Sequence, residues 1–156
     1  MSVEFFKKFL KEHNLDIKPV KSEKSTLTAK EAAGVHGVPV SNIVKSLVIK
    51  ADSDFFICLC PGDKRLSFEY LKRKLGKKEI RMATADEIKE VTGHSIGGVP
   101  PFGHKKPFKT IIIKGFNPNQ PLWAAAGASN VNFETTLSEL KRILELEKGT
   151  VINKGT

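Results

Sequence analysis

The chain has 156 residues, 40% of them hydrophobic and 28% charged, which suits one domain with an ordinary core and no disulfide or metal staple. Lysine and arginine total 26 against 17 aspartates and glutamates, and the net +9 permits a polyanionic partner such as nucleic acid without establishing one. No apolar run approaches the roughly 20 residues of a membrane-spanning helix, and the N-terminus, MSVEFFKKFLKEHN, lacks the apolar stretch of a signal peptide. Cys58 and Cys60 cannot form a disulfide framework, so a reducing cytoplasm is the expected setting.

Val3, Phe5, Phe6, Phe9 and Leu10 recur at helical spacing with Lys7, Lys8 and Lys11 between them, predicting an amphipathic helix that docks its phenylalanines. Lys18 to Lys24 reads as a turn or exposed connection, and residues 1–25 form an N-terminal helix and linker to a single domain spanning 1–156. Thr28-Ala-Lys-Glu31 is a capping box, opening a helix that stops at Gly34 or Gly37. Residues 43–50 (IVKSLVIK) and 55–60 (FFICLC) are β-rich and predict an antiparallel hairpin. Ser67 caps a helix through Leu75, residues 79–82 form a short strand, and Thr84-Ala-Asp-Glu87 opens a helix ending near Gly93. Four glycines and three prolines between Gly93 and Pro107 predict a shaped loop. Residues 109–114, 122–126 and 131–134 read as strands, Thr136-Leu-Ser-Glu139 as a third capping box before a helix to about Leu146, and 150–153 as a last strand. Several joins are too short for parallel crossovers, so the expected fold is α+β, a mixed and mainly antiparallel sheet with flanking helices.

Lys45 is the most informative residue. In a period-2 strand it shares a face with Ile43, Leu47 and Ile49, while Val44, Ser46 and Val48 take the other, so both faces should be covered. A lysine there either lays its stem on the core and carries its head to water, or stands at the wall of a pocket for a phosphate or carboxylate. The run Gly93-His-Ser-Ile-Gly97-Gly98-Val99-Pro100-Pro101-Phe-Gly103-His104 is either a structural turn or a loop whose backbone amides face an oxygen ligand. It is no phosphate-cradling P-loop, since no Gly-Lys-Ser/Thr closes it. Pro61-Gly62-Asp63-Lys64-Arg65 is turn chemistry that matters only if its strand delivers it beside Lys45. Cys58 and Cys60 lack a second pair for zinc and read as buried thiols, and His13, His36, His94 and His104 have no metal-ligand spacing. Ser46 has no evident base beside it. The residues alone thus describe an anion-receptive pocket on a basic domain, without metal or nucleophile.

At these positions the chain resembles the YbaK/prolyl-tRNA synthetase-associated editing domain. The resemblance rests on Thr28-x-x-Glu-Ala-Ala, Gly37-Val-Pro, Ile43-Val-Lys45-Ser-Leu-Val, Pro61-Gly-Asp-x-Arg-Leu, Thr92-Gly93, Gly97-Gly98-Val-Pro-Pro101-Phe-Gly103 and Ala126-Gly127, in order from about Thr28 to Leu144. It implies a barrel-like, mostly antiparallel sheet and a freestanding deacylase that clears mischarged tRNA, with tRNA-Pro carrying alanine or cysteine as the expected substrate. It implies that Lys45 lines the pocket near the 3′-terminal adenosine and that Gly97, Gly98 and Pro101 shape the reacting site. Ser46, Gly62, Asp63, Arg65, Val99, Pro100, Gly127 and Asn132 would then contact substrate, with no metal and no cofactor. The implied partners are the acceptor end of mischarged tRNA and prolyl-tRNA synthetase. The alternative is a non-catalytic RNA- or nucleotide-binding module associated with a synthetase. Three departures stand out: Asn132 replaces an aspartate of some members, Pro100 replaces the usual serine, and Tyr70 is the only tyrosine. Lysines and arginines outside the pocket (Lys7, Lys8, Lys11, Lys64, Arg65, Lys72, Arg73, Lys74, Lys77, Lys78, Lys105, Lys106) are candidates for tRNA phosphates.

Overall fold

The computed structural model describes residues 2–147 and 151–154. In chain order the elements are α1 (Ser2–Glu12), β1 (Val20–Lys21), α2 (Ala29–His36), a 3₁₀ turn (Val40–Asn42), β2 (Ile43–Ala51), β3 (Asp54–Pro61), α3 (Phe68–Leu75), β4 (Ile80–Met82), α4 (Ala85–Thr92), β5 (Lys109–Ile112), β6 (Leu122–Ala128), β7 (Val131–Thr135), α5 (Leu137–Leu146) and β8 (Val151–Lys154).

Local chemistry accounts for most boundaries. Thr28 and Thr84 complete the two capping boxes, their hydroxyls accepting from the Glu31 and Glu87 amides while those carboxylates accept from the threonine amides. α2 runs through Gly34 and ends at Gly37 in the left-handed region, which decides between the two predicted stops. The third box is incomplete. Thr136 caps the Glu139 amide, but the Glu139 carboxylate accepts from the Thr135 hydroxyl instead of the Thr136 amide. Gly34 sits inside α2, exposed, and an added methyl there would meet nothing within 4 Å. Gly34→Ala is therefore expected to stabilise the protein by about 0.5–1 kcal/mol, read as a raised urea midpoint with unchanged m.

The strands form one sheet in the order β1-β7-β6-β2-β3-β5-β8, with β4 paired to β2 off that path. The β1/β7, β2/β3, β2/β4 and β6/β7 pairs are antiparallel, and β2/β6, β3/β5 and β5/β8 are parallel. Parallel pairing is possible because these partners lie far apart in the chain, with helices and loops between them. The sheet is mixed and mainly antiparallel as expected, but it is not the closed barrel the resemblance suggested: β1 and β8 are its outer strands, and among the described residues no pairing joins them. β1 falls in the segment read as a connection. Its two residues pair with Asn132 and Val131, too short a run to show periodicity.

Both faces of β2 are covered. On one side Val44 and Val48 pack with Ile57 and Leu59, Phe6 and Leu10 of α1, Phe102, and Leu140 and Ile143 of α5. On the other, Ile49 packs with Phe56, Cys58, Cys60, Ile111 and Leu71 of α3. Of the α1 phenylalanines, Phe6 is buried, Phe9 half-buried and Phe5 exposed, so the helix docks along a narrower stripe than predicted. Cys58 and Cys60 are free and buried, and desolvation pushes the Cys58 thiol up to about 12, as expected of inert core thiols.

Candidate functional site

β2 is flanked unevenly. Its parallel ladder to β6 ends at Val44↔Ala124, and its antiparallel ladder to β4 starts only at Ile49↔Met82. Between them the strand lines a cavity of about 630 Å³, completed by the start of α2, Gly97 and Val99 of the glycine–proline loop, and Trp123 and Asn132 of β6 and β7. The Val48 carbonyl accepts from the Ala83 amide on this edge, and the Ile43 carbonyl accepts from Gly62 on the opposite one. By the alternation of strand backbone, Ser46 therefore turns its N–H and C=O toward the cavity. Its hydroxyl is buried and has no hydrogen-bond partner among the described residues.

Lys45 is half-buried at the wall of this cavity, and its Nζ donates to the Lys64 carbonyl at 2.5 Å. Both of its alternatives hold in part: the stem lies beside Cys60, its cross-strand neighbour, while the head stands where cavity meets solvent. Among the described residues it is the sole charged one lining the cavity, whose walls are otherwise mostly alanine, valine, leucine and isoleucine, with no carboxylate, imidazole or thiol among them. Burial raises the Cys60 thiol against the opposing pull of the Lys45 ammonium.

The glycine–proline loop is held from behind. Gly97 has φ +86, and a Cβ there would lie 2.3 Å from Leu27 Cδ1. Gly98 packs on the β6 backbone, and its carbonyl accepts from the Gly127 amide at 2.9 Å. Two buried histidines brace the remainder: His104 Nε2–H donates to the Pro100 carbonyl at 2.6 Å and His94 Nε2–H to the Gly103 carbonyl at 3.0 Å. Burial holds both rings neutral, and lowers His104 from 6.5 to about 3. The unfolded chain protonates His104 near 6.5 and the folded one only near 3, so its contribution is complete above 6.5 and is lost as pH falls toward 3, at up to about 1.4 kcal/mol per pH unit, and His94, also lowered by burial, acts in the same direction. Glu147, raised by burial to about 7, acts in the opposite sense over part of this range. Comparing wild type with His104→Gln, which keeps a donor but does not titrate, isolates the histidine: urea midpoints between pH 7 and 4.5 should fall less steeply for the variant.

A further group was not singled out from sequence. His36, the last residue of α2, stacks on Trp123 with ring centroids 3.8 Å apart and planes 5° apart, and its Nε2–H donates to Asn132 Oδ1 at 2.9 Å. Sequence reasoning weighed His36 only for metal-ligand spacing; a lone tryptophan in an alanine-rich strand was the one signal available. Among the described residues no three His, Cys, Asp or Glu side chains cluster to hold a metal ion.

The pattern of the aminoacyl-tRNA editing domain family matches residues 23–143. The chain belongs to that family. Among its relatives, the proline–tRNA ligase of Thermosipho africanus is 44% identical over 79 residues, which are 51% of this chain and 14% of the ligase. The uncharacterised protein YwhH of Bacillus subtilis is 34% identical over 122 residues, 76% of this chain and 75% of that protein. The crystal structure of a proposed trans-editing enzyme for prolyl-tRNA synthetase matches with a TM-score of 0.86 at 34% identity, covering 99% of this chain and 97% of the other. The chain thus spans only a small part of the ligase and nearly all of the chain in that crystal structure.

Within this editing domain the sequence-derived residues fall into three groups. Lys45, Ser46, Gly97, Val99 and Asn132 line the cavity together. Gly98, Pro100 and Pro101 are buried behind the loop's front, and Gly127 braces it from β6. Gly62, Asp63 and Arg65 do not line the cavity: Gly62 makes a close turn against Val40, and Asp63 and Arg65 are exposed. Of this segment, only the Lys64 carbonyl reaches the site, as the acceptor for Lys45. No helix among the described residues is long and apolar enough to cross a membrane.

Proposed function

We propose that this chain is a deacylase that acts in trans, in the cytoplasm, on the ester of mischarged aminoacyl-tRNA, with Ala- or Cys-tRNA-Pro as substrates, and that residues 1–156 form one editing unit. The observation that carries the reading is a lone ammonium, Lys45, set in the wall of an otherwise apolar cavity beside a braced glycine–proline loop. The freestanding relative described for prolyl-tRNA synthetase supports it.

An aminoacyl ester is activated, and its vicinal ribose hydroxyl and α-ammonium assist attack by water, which takes the acyl group while the ribose oxygen leaves as the free hydroxyl. The protein has then to hold the ester and stabilise the oxyanion. Lys45 serves as the electrostatic anchor for the terminal phosphate or sugar, fixing the ester's position. The Ser46 N–H, turned into the cavity, and the amides of the Gly97–Gly98 loop serve as oxyanion donors. With no carboxylate, imidazole or thiol on the wall, the chain supplies orientation and donors, and the proton leaves through water or substrate. Small apolar walls suit a small side chain, the kind a synthetase discriminates poorly because one methylene is worth only about 1–3 kcal/mol.

The exposed basic residues would hold the acceptor stem. Some of the candidates are engaged within the protein: Lys72 pairs with Glu69, and Lys77 with Asp54. The other candidates (Lys7, Lys8, Lys11, Lys64, Arg65, Arg73, Lys74, Lys78, Lys105 and Lys106) are exposed and carry no ion pair among the described residues, which leaves them the better phosphate contacts. Association with prolyl-tRNA synthetase belongs to the same proposal.

The absence of a side-chain base from the cavity wall also suits the second reading, a module that binds RNA ends or nucleotides without turnover. Incubation with Ala-, Cys- and Ser-charged tRNA-Pro at low salt separates the two. Release of amino acid above background supports the deacylase; salt-sensitive binding with no release from any of the three rejects it.

A further inference from the structure

Asn132 is 4% exposed, and its backbone is fixed between β1 and β6 through pairing with Val20 and Ala125. A carboxamide has an acceptor end and a donor end, and a free one can present either. Here the acceptor end is turned to His36. A carbonyl oxygen can only accept, so the 2.9 Å contact engages Oδ1 and makes His36 Nε2 the N–H donor. The flat stack on Trp123 holds the imidazole in that plane. Asn132 Nδ2 has no partner among the described residues, is not among their fully buried orphan atoms, and belongs to a side chain lining the cavity.

We propose that His36 is a positioning residue: it holds the Asn132 carboxamide with Oδ1 on the imidazole, so that Nδ2 is the end left to donate into the cavity. The site then takes a ligand oxygen at this point, the ester carbonyl or a ribose hydroxyl, and rejects an α-ammonium there, which would need an acceptor. An aspartate at this position would invert that polarity. The inference rests on the editing reading for its substrate, while the donor orientation rests on geometry alone.

Three variants test it. His36→Phe keeps a ring to stack on Trp123 and loses the donor; His36→Gln keeps an N–H near the Nε2 position and loses the stack; Asn132→Asp replaces donors by acceptors. The readouts are kcat and KM on whichever charged tRNA-Pro the wild type hydrolyses, and binding of 3′-(alanylamino)-3′-deoxyadenosine, followed by fluorescence of Trp123, the chain's single tryptophan. Loss of one oriented hydrogen bond predicts about a tenfold fall in kcat/KM and in probe affinity for His36→Phe and Asn132→Asp, and about twofold or less for His36→Gln. Wild-type behaviour in His36→Phe with impairment in His36→Gln would show that the stack, and not the donor, matters, and would overturn the proposal. So would an unaffected Asn132→Asp. If wild type binds the probe with this ranking but hydrolyses no charged tRNA, the editing reading fails and the positioning role stands. If it neither binds nor hydrolyses, both fail.

Discussion

Lys45→Ala is expected to lower kcat/KM for deacylation by about 10²–10³ while the protein stays folded. Two features of the site make these effects separable. Among the described residues the ammonium is the sole charge on the cavity wall, so no neighbouring side chain there can take over its anchoring of a phosphate or sugar. Among the described residues its hydrogen bond is to the Lys64 carbonyl, at a residue open to solvent, so removing the head leaves no buried ion without a partner and water can satisfy the oxygen. Lys45→Met provides the control because it preserves the apolar stem against Cys60 and deletes only the charge. Both variants should lose turnover, and Lys45→Met should melt within a few degrees of wild type. Single-turnover rates on charged tRNA alongside thermal denaturation check this. Activity within about threefold of wild type in either variant would remove the ammonium from the proposed mechanism.

Gly98→Ala is expected to abolish most activity by a different route. A Cβ on residue 98 would stand 2.8 Å from both Cα and N of Ala128 and 2.9 Å from the carbonyl carbon of Gly127. All three atoms are backbone in a paired strand, so they cannot swing aside as a flexible side chain would. The loop must lift off β6 instead, breaking the 2.9 Å bond from the Gly127 amide to the Gly98 carbonyl and carrying Gly97 and Val99 away from Lys45. Overpacking of this kind costs about 1–3 kcal/mol, and a displacement near 1 Å of an oxyanion donor costs about 10² in rate. The expected result is a lowered melting temperature together with a kcat loss of about 10² or more. An alanine variant as stable and as active as wild type would mean that the loop's seat on β6 does not set the site.

Most local structure was legible because it is encoded in short patterns. Thr28–Glu31 and Thr84–Glu87 state their helix starts within four residues, and the two β-rich runs around Ala51-Asp-Ser-Asp54 form the predicted hairpin. Lys45 stood out because a cation amid Ile43, Leu47 and Ile49 is an energetic anomaly visible one strand at a time. What escaped was long-range. His36 and Asn132 are 96 residues apart, and only the placement of α2 over β6 and β7 brings the imidazole to the carboxamide. The parallel β2/β6 and β3/β5 pairs likewise join segments whose own patterns specify a strand and not its neighbour. The third capping box misled because Glu139 has a competing donor, the Thr135 hydroxyl, that no spacing rule includes. The Pro61–Arg65 segment was over-read: it does reach Lys45, but through a backbone oxygen, an atom every residue type possesses.

Because the sheet stays open, its outermost strand on one side must not become a landing strip for other chains. β1 meets that demand by being only two residues long, with Pro19 before it offering no N–H and Lys18, Lys21 and Lys24 exposed around it. A foreign strand laid there would gain few hydrogen bonds and would have to strip water from several ammonium groups, so this margin resists fibril growth and favours a molecule that stays dispersed when concentrated.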